Sequence, residues 1–438
     1  MGKRTYRSIE IQKVTAAKVL AVVASQLVFI ALDIAKKRIV AALTDADGEH
    51  PTIFHFANPT EVALLLALVR ELRAAGRVVQ IVMEPTGTYG DYVLHAAHEA
   101  RAPTFLVSPK RTHDAKEIYD GVPSKHDPKD ATIIAKLHAH GLSKPWAPMS
   151  EERRELRALI DEREIFAAPL REHLGRVEAH LTRAWPELLG IIDVGGRISV
   201  LRWLRAYPDP AAVRADPAKA AKALRGFSRG AMKAETLEAI VASAGRHEGP
   251  RLSAAERRML AQLFEEVVRL HERCDEVDAR IERAIDAKPE RATMRRMLGV
   301  ATTAAVIALV GDPAAFGSAG ALEKACGLNL KESSSGERQG RGVHITKRGP
   351  GVARKYLYLL ALRTVKDDEV VRAWYQRRRS FVAEDKRSAV VAVMRKLVRG
   401  LWHVARGAAF DATKLFDVRR LGVVTALPPA SSATEEAA

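Results

Sequence analysis

Cysteine is almost missing from this 438-residue chain: Cys274 and Cys326 are the only two, both within apolar helical patterns. Such a pair makes neither a disulfide framework nor a zinc site, and reads as small core residues of a reducing, cytoplasmic compartment. Long hydrophobic runs are missing too. The longest uncharged apolar stretch before Asp33 runs from Val19 to Leu32, short of the roughly 20 residues that span a bilayer. Its basic flank has a faint look of a signal peptide, but the run ends in a carboxylate and nothing downstream looks secreted. Acid is in deficit, with 53 Asp and Glu against 70 Lys and Arg, a net charge of +17. That surplus points to a polyanionic partner, nucleic acid before a membrane surface. What is plentiful is apolar residue, 47% of the chain, enough for real cores in roughly three pieces of about 150 residues each.

Residues 1–25 read as a basic, helical extension. From 26 to about 144 the pattern is mixed α/β, with strand-like runs at 27–33, 38–44, 51–56, 78–84 and 104–107. Helical stretches fall near 60–75, 90–100 and from 128, and Asp45-Ala46-Asp47-Gly48 is a hairpin turn signal. The order β-β-β-α-β-α-β-α is that of a ribonuclease-H-like fold. Pro145-Trp146-Ala147-Pro148-Met149 reads as a linker.

Residues 150–290 are helical. Ser150 caps a helix with Glu151 and Glu152 in its first turn, and Pro169 is expected to kink or shorten it. Residues 186–250, rich in Ala, Gly and Pro, read as an insertion. A capping box at Ser253 and Glu256 opens a long helix. Its Leu260, Leu263, Val267, Leu270, Cys274, Val277, Ile281 and Ala284 make a heptad seam. The seam fits either an antiparallel partner at 151–182 or a dimerisation coiled coil. Residues 291–423 form a compact, mostly helical C-terminal domain, and 424–438 a disordered tail.

Four acids punctuate the first region. Asp33 closes Leu27-Val28-Phe29-Ile30-Ala31-Leu32-Asp33, and Glu84 closes Val78-Val79-Gln80-Ile81-Val82-Met83-Glu84. Asp127 and Asp130 lie three apart at the start of a helix, hence on one face. Each alone is an ordinary surface or strand-exit acid. If the two strands are neighbours and the helix packs beside them, four carboxylates meet. Such a cluster repels itself and makes sense around hard cations, Mg²⁺ or Mn²⁺ before zinc. His113, His126, His138 and His140 make no convincing ligand set and read as surface residues.

A second site is the stretch from Leu328 to Gly349, where Ser333, Ser334 and Ser335 precede Gly336 among basic residues. A serine there offers a hydroxyl nucleophile beside phosphate-binding groups; a polar loop that merely touches backbone phosphates fits the spacing as well. Between 331 and 400 stand 18 Lys and Arg against 7 Asp and Glu, most of the net charge. Met297-Leu298-Gly299-Val300-Ala301 is a glycine turn before a helix, suited to phosphate contact or to tight packing.

Leu32-Asp33-Ile34-Ala35-Lys36, Glu84-Pro85-Thr86-Gly87-Thr88-Tyr89, Asp127-Pro128-Lys129-Asp130-Ala131, and Ser335-Gly336 followed by Gly342-Val343-His344-Ile345-Thr346-Lys347-Arg348-Gly349 together resemble the DEDD transposases of the insertion-sequence-110 family. The resemblance runs from about 27 to 410. It implies a RuvC-like N-terminal domain whose Asp33, Glu84, Asp127 and Asp130 hold Mg²⁺, a helical coiled-coil middle, and a C-terminal transposase domain with Ser335 as nucleophile. The three-serine run leaves Ser334 as a rival, and the usual Pro after Gly327-Leu328 is replaced by Asn329-Leu330. The family also implies a structured non-coding bridge RNA that pairs with donor and target DNA, and a dimer assembling to a tetramer in which one subunit's serine meets another's carboxylates. Arg338, Arg341, Lys347 and Arg348 are the candidates for holding backbone phosphates. Two other readings compete: a metal-dependent nuclease resembling Holliday-junction resolvases, which leaves no covalent adduct, and a non-catalytic nucleic-acid-binding descendant.

Overall fold

A computed structural model describes residues 8–49, 51–85, 87–116, 127–247, 249–331, 344–380 and 386–417. The chain divides into two units, the first ending at Met149 and the second beginning at Ser150.

The first unit contains β1 (Ile9–Glu10), α1 (Ala16–Val22), β2 (Leu27–Ile34), β3 (Arg38–Thr44), β4 (Thr52–Ala57), α2 (Val62–Ala74), β5 (Val78–Met83), α3 (Asp91–Glu99), β6 (Thr104–Val107), α4 (Pro109–Ala115), α5 (Asp127–Ala139) and β7 (Ser143–Pro145). Its strands form one sheet in the order β1-β4-β3-β2-β5-β6-β7. β2, β3 and β4 run antiparallel, while β5 and β6 continue parallel to β2. That five-strand core has the order expected of a ribonuclease-H-like fold. At the β3–β4 hairpin, Asp45 Oδ1 accepts from the backbone N–H groups of Asp47 and Glu49, and Gly48 takes the left-handed φ of +76°.

Side chains alternate across a strand, so each strand feeds two cores. Ile30, Leu32, Ile39, Ala41, Ile81 and Met83 pack with residues of α2 and α3 on one face. Ala31, Val40, Ala42 and Val82 pack on the other with Ala131, Ile134 and Ala135 of α5. The strands are apolar on both sides because both sides are covered.

Residues 8–23, read from sequence as a basic, helical extension, are part of the first unit's sheet and core. β1 adds to the sheet edge beside β4, and Ile11, Val14, Val19 and Val23 are buried in the α2–α3 core. Basic neighbours masked their apolar spacing. His138 is a second correction. It is buried, ringed by Phe29 and Phe105, with Nε2 2.8 Å from Gln80 Oε1 and Nδ1 2.6 Å from Ser143 Oγ.

The second unit begins with α6 (Glu151–Ala184), passes through α7 (Pro186–Ile191), α8 (Ile198–Ala206), α9 (Pro210–Ala215), α10 (Pro217–Phe227) and α11 (Ala234–Arg246), and returns along α12 (Ala254–Asp286). α6 continues through Pro169, so the proline does not shorten it. Packing along its whole length outweighs the one backbone hydrogen bond that proline removes. Ion pairs Arg183–Glu256, Arg163–Asp278 and Arg291–Glu152 step in opposite directions along the two segments, so α6 and α12 are antiparallel. Leu260, Val267, Leu270, Cys274, Val277 and Ile281 of the seam are buried within the chain. In the five-helix insertion the indoles of Trp185 and Trp203 are wholly buried, donating to Ser243 Oγ and to the Ala220 carbonyl, each at 3.0 Å. Truncating either to Ala costs about 3–5 kcal/mol.

The rest comprises α13 (Ala292–Leu298), α14 (Val300–Leu309), α15 (Ala319–Ala325), β8 (Leu330–Lys331), β9 (His344–Ile345), α16 (Gly351–Asp367), α17 (Glu369–Ser380), α18 (Lys386–Val404) and α19 (Ala412–Leu415). α14 is buried almost throughout. Arg363 donates to the Leu298 carbonyl at 2.9 Å, and its guanidinium would lie 2.8 Å from a Cβ at Gly299. Gly299 also takes the left-handed φ of +77° between the two helices. Among the described residues no single helix is long and apolar enough to cross a membrane.

Candidate active site

β2 and β5 are parallel neighbours with Leu32 opposite Met83. One residue further along the same register puts Asp33 beside Glu84, at the carboxyl ends of two central strands. Alternation places both acids on the face that Ala31 and Val82 share with α5. α5 supplies the other two from its first turn, where Asp127 and Asp130 gain from the positive end of the helix dipole. Asp127 is exposed, Glu84 and Asp33 are half-buried, and Asp130 is buried at 7% exposure.

The four acids sense one another. Asp33 is pushed up to about 6, first by burial and then by repulsion from Asp130, Asp127 and Glu84. Lys116 works against that rise, at the end of α4, with its Nζ 2.8 Å from Asp130 Oδ2. The other oxygen of that carboxylate, Oδ1, is buried with no hydrogen-bond partner among the described residues. Sequence reasoning missed Lys116. It lies 14 positions before Asp130, and only the packing of α4 on α5 brings it in.

This donor set fits a hard divalent ion. All four ligand groups are carboxylate oxygens, one buried oxygen is unsatisfied, and the cluster already draws in a cation. Among the described residues no three His, Cys, Asp or Glu side chains are gathered tightly enough to ligate one ion as they stand. Lys116 offsets part of the charge the acids place there.

Ser333, Ser334, Ser335, Arg338 and Arg341 lie outside the described residues, as does His126. The base of that segment is described. Thr346 N–H donates to the Asn329 carbonyl at 2.9 Å, Lys347 N–H to the Gly327 carbonyl at 3.0 Å, and Thr346 Oγ1 lies 2.6 Å from Asn329 Oδ1. Gly349 is required by close approach, since a Cβ there would fall 2.4 Å from the Ala325 carbonyl oxygen. Asn329 thus braces the turn through Thr346. Lys347 and Arg348 are exposed at this base.

Two family models match the chain. One, described as a transposase of the DEDD type of IS110, covers residues 30–186; the other, the transposase IS116/IS110/IS902 family, covers 296–376. The 43.6 kDa protein of insertion element IS110 from Streptomyces coelicolor is 23% identical over 82% of this chain and 89% of its own length. The 44.8 kDa protein of insertion element IS116 from Streptomyces clavuligerus is 25% identical over 86% and 94%. T. thermophilus RuvC, solved in complex with Holliday junction substrate, is 17% identical over 27% of this chain and 99% of that one, with a TM-score of 0.21. The two models together span more than half of the residues and coincide with the acidic sheet region and the basic C-terminal region. The chain belongs to the IS110 family of insertion-sequence transposases.

Proposed function

We propose that this transposase recombines DNA by a covalent phosphoserine route, with Ser335 as nucleophile and Asp33, Glu84, Asp127 and Asp130 as the holders of Mg²⁺ or Mn²⁺. The observation that carries the reading is that the paired ends of β2 and β5 and the first turn of α5 bring acids to one sheet face, where Asp130 Oδ1 is buried with no hydrogen-bond partner among the described residues. Four acids from three separate segments share one place, which costs stability and is of use chiefly around a cation. A bound divalent ion there would offset charge on a phosphodiester and polarise its phosphorus.

The chain's own contribution is the nucleophile and its surroundings. The Ser335 hydroxyl oxygen bonds to phosphorus as the bond from phosphorus to the leaving sugar oxygen breaks. The serine proton passes to solvent and the sugar oxygen takes one up, so charge and proton count are unchanged. Attack by a hydroxyl of the other strand reverses the step and frees the serine, without a high-energy cofactor. Arg338, Arg341, Lys347 and Arg348 hold flanking phosphates. Donor and target DNA are selected by pairing with an element-encoded bridge RNA. The chain works as a dimer that assembles to a tetramer, the serine of one subunit serving carboxylates of another.

A suicide-substrate assay tests the covalent step. An SDS-stable protein–DNA adduct that is lost in Ser335→Ala and retained in Ser334→Ala supports it. Strand cleavage that survives replacement of Ser333, Ser334 and Ser335 together by Ala overturns it and favours a hydrolytic nuclease. Sequencing RNA that co-purifies with the native protein tests the guide: a structured transcript of the element's own flank is expected, and its absence contradicts RNA guidance.

A further inference from the structure

Arg387, Val391, Arg395, Arg399 and His403 recur every four residues along α18 and so form one row. At a rise of about 1.5 Å per residue the row is about 24 Å long. It borders two hollows of the second unit. One, of about 550 Å³, has Lys331, His344 and Lys347 of the β8–β9 hairpin and Arg378 of α17 in its other walls. The second, of about 460 Å³, continues past Trp374 and Lys396 to His403. Arg378, Ala392 and Arg395 line both, so the two join into one trough.

Among the described residues no Asp or Glu lines either hollow. Glu323, at 5% exposure, accepts from Arg395 at 2.6 Å and lies 3.8 Å from Arg399. That buried acid anchors Arg395. Lys396 is committed to the wall, its Nζ donating to the Leu415 carbonyl at 2.8 Å. Arg378 and Arg399 are exposed. The trough therefore carries several guanidinium groups along one helix row and its facing wall, a group whose forked donors suit phosphate. A single small anion would need one such group; several along a trough suit an extended polyanion.

We propose that this trough binds the sugar-phosphate backbone of a DNA strand beside the scissile position. The choice of DNA rests on the nucleophile reading above: the hairpin strands forming one wall are those that flank, in sequence, the segment carrying Ser335. A strand held along α18 would be aligned for cutting by that segment.

The test measures binding apart from chemistry. Fluorescence anisotropy of the full chain carrying Ser335→Ala is followed with a 30-base-pair DNA duplex and with single-stranded RNA of equal length, over a range of salt. The trough variant is Arg378→Gln, Arg387→Gln and Arg399→Gln together. Its control, equal in charge change, is Arg171→Gln, Arg225→Gln and Arg258→Gln, exposed cations elsewhere in the unit. Each lost phosphate contact should flatten the slope of log affinity against log salt by about 0.9, or weaken binding about tenfold near 0.1 M salt. The proposal expects a slope change of about 2–3 for DNA in the trough variant and little in the control. Equal weakening in the control, an unchanged DNA slope, or a loss confined to RNA overturns it. Arg378→Gln alone, expected to remove about one unit of slope, serves if the triple variant misfolds. Because the nucleophile is already absent, a failed trough and a failed serine assignment appear in different assays.

Discussion

The acidic face of the first unit and the basic trough of the second are opposite in more than sign. The acids come from strand ends and one helix turn, are drawn together by the sheet, and repel one another in a half-buried place. The cations come from a hairpin and two helices, line an open trough, and are eased by solvent and by one buried glutamate. Crowding acids is costly without a counter-ion, whereas spreading arginines along a helix costs little. One region is strained toward a small hard cation, and the other is suited to a long polyanion.

The largest effect expected from breaking this contrast is on chemistry. Asp130→Asn or Glu84→Gln should lower strand cleavage by on the order of 10³-fold or more, because ion-assisted charge stabilisation contributes several kcal/mol, while DNA affinity by anisotropy changes little. An equal loss of affinity would make the acids structural. Stripping divalent ions with EDTA should reproduce the defect in the unaltered chain, and Mg²⁺ or Mn²⁺ should reverse it.

The next effect is on stability and runs the other way. Asp33 is protonated more readily in the fold than in the open chain, so its contribution is full below about pH 3.8 and is lost as pH rises toward about 6. Asp33→Asn in EDTA should therefore stabilise the first unit at neutral pH by on the order of 1–3 kcal/mol in denaturant melts. A destabilised variant would show that the acids are not in repulsive contact.

Lys116→Met sharpens the comparison further. Without its ammonium on Asp130, the ion-free protein should melt earlier and the upward shift in Tm on adding Mg²⁺ should grow by a few degrees. An unchanged shift would separate Lys116 from the ion site.

The smallest effect concerns His138. Burial lowers it to about 4, so its neutral form supports the fold above about pH 6.5, and that support is lost as pH falls toward about 4. His138→Gln should flatten the acid limb of the stability curve over that window. A limb that stays as steep would place the acid sensitivity elsewhere.

The nearness of the four acids was legible in the sequence because each is tied to a strong local signal. Asp33 and Glu84 end apolar runs of strand length, and Asp127 and Asp130 have the spacing of one helix face. Register was not legible; it follows from the pairing of Leu32 with Met83. His138 was misread as a surface residue because its burial depends on Phe29 and Phe105, on two distant strands. Lys116 gave no signal, being one lysine among many until α4 packs on α5. The short edge strand at residues 9–10 and the burial of residues 11–23 were hidden by basic neighbours, and Pro169 does not end α6, which packs against α12 on both sides of it. The trough was half legible: the four-residue spacing along α18 is in the sequence, but its other walls come from β8, β9 and α17.

Mn²⁺ binding, followed by electron paramagnetic resonance on the full chain without nucleic acid, tests the shared cation pocket most directly. The account predicts a bound-ion signal that weakens by at least about tenfold in Asp33→Asn and in Asp130→Asn alike, with Mg²⁺ competing for the same site. A signal left intact by both substitutions, or one lost on replacing only a single acid of the four, would contradict a common centre.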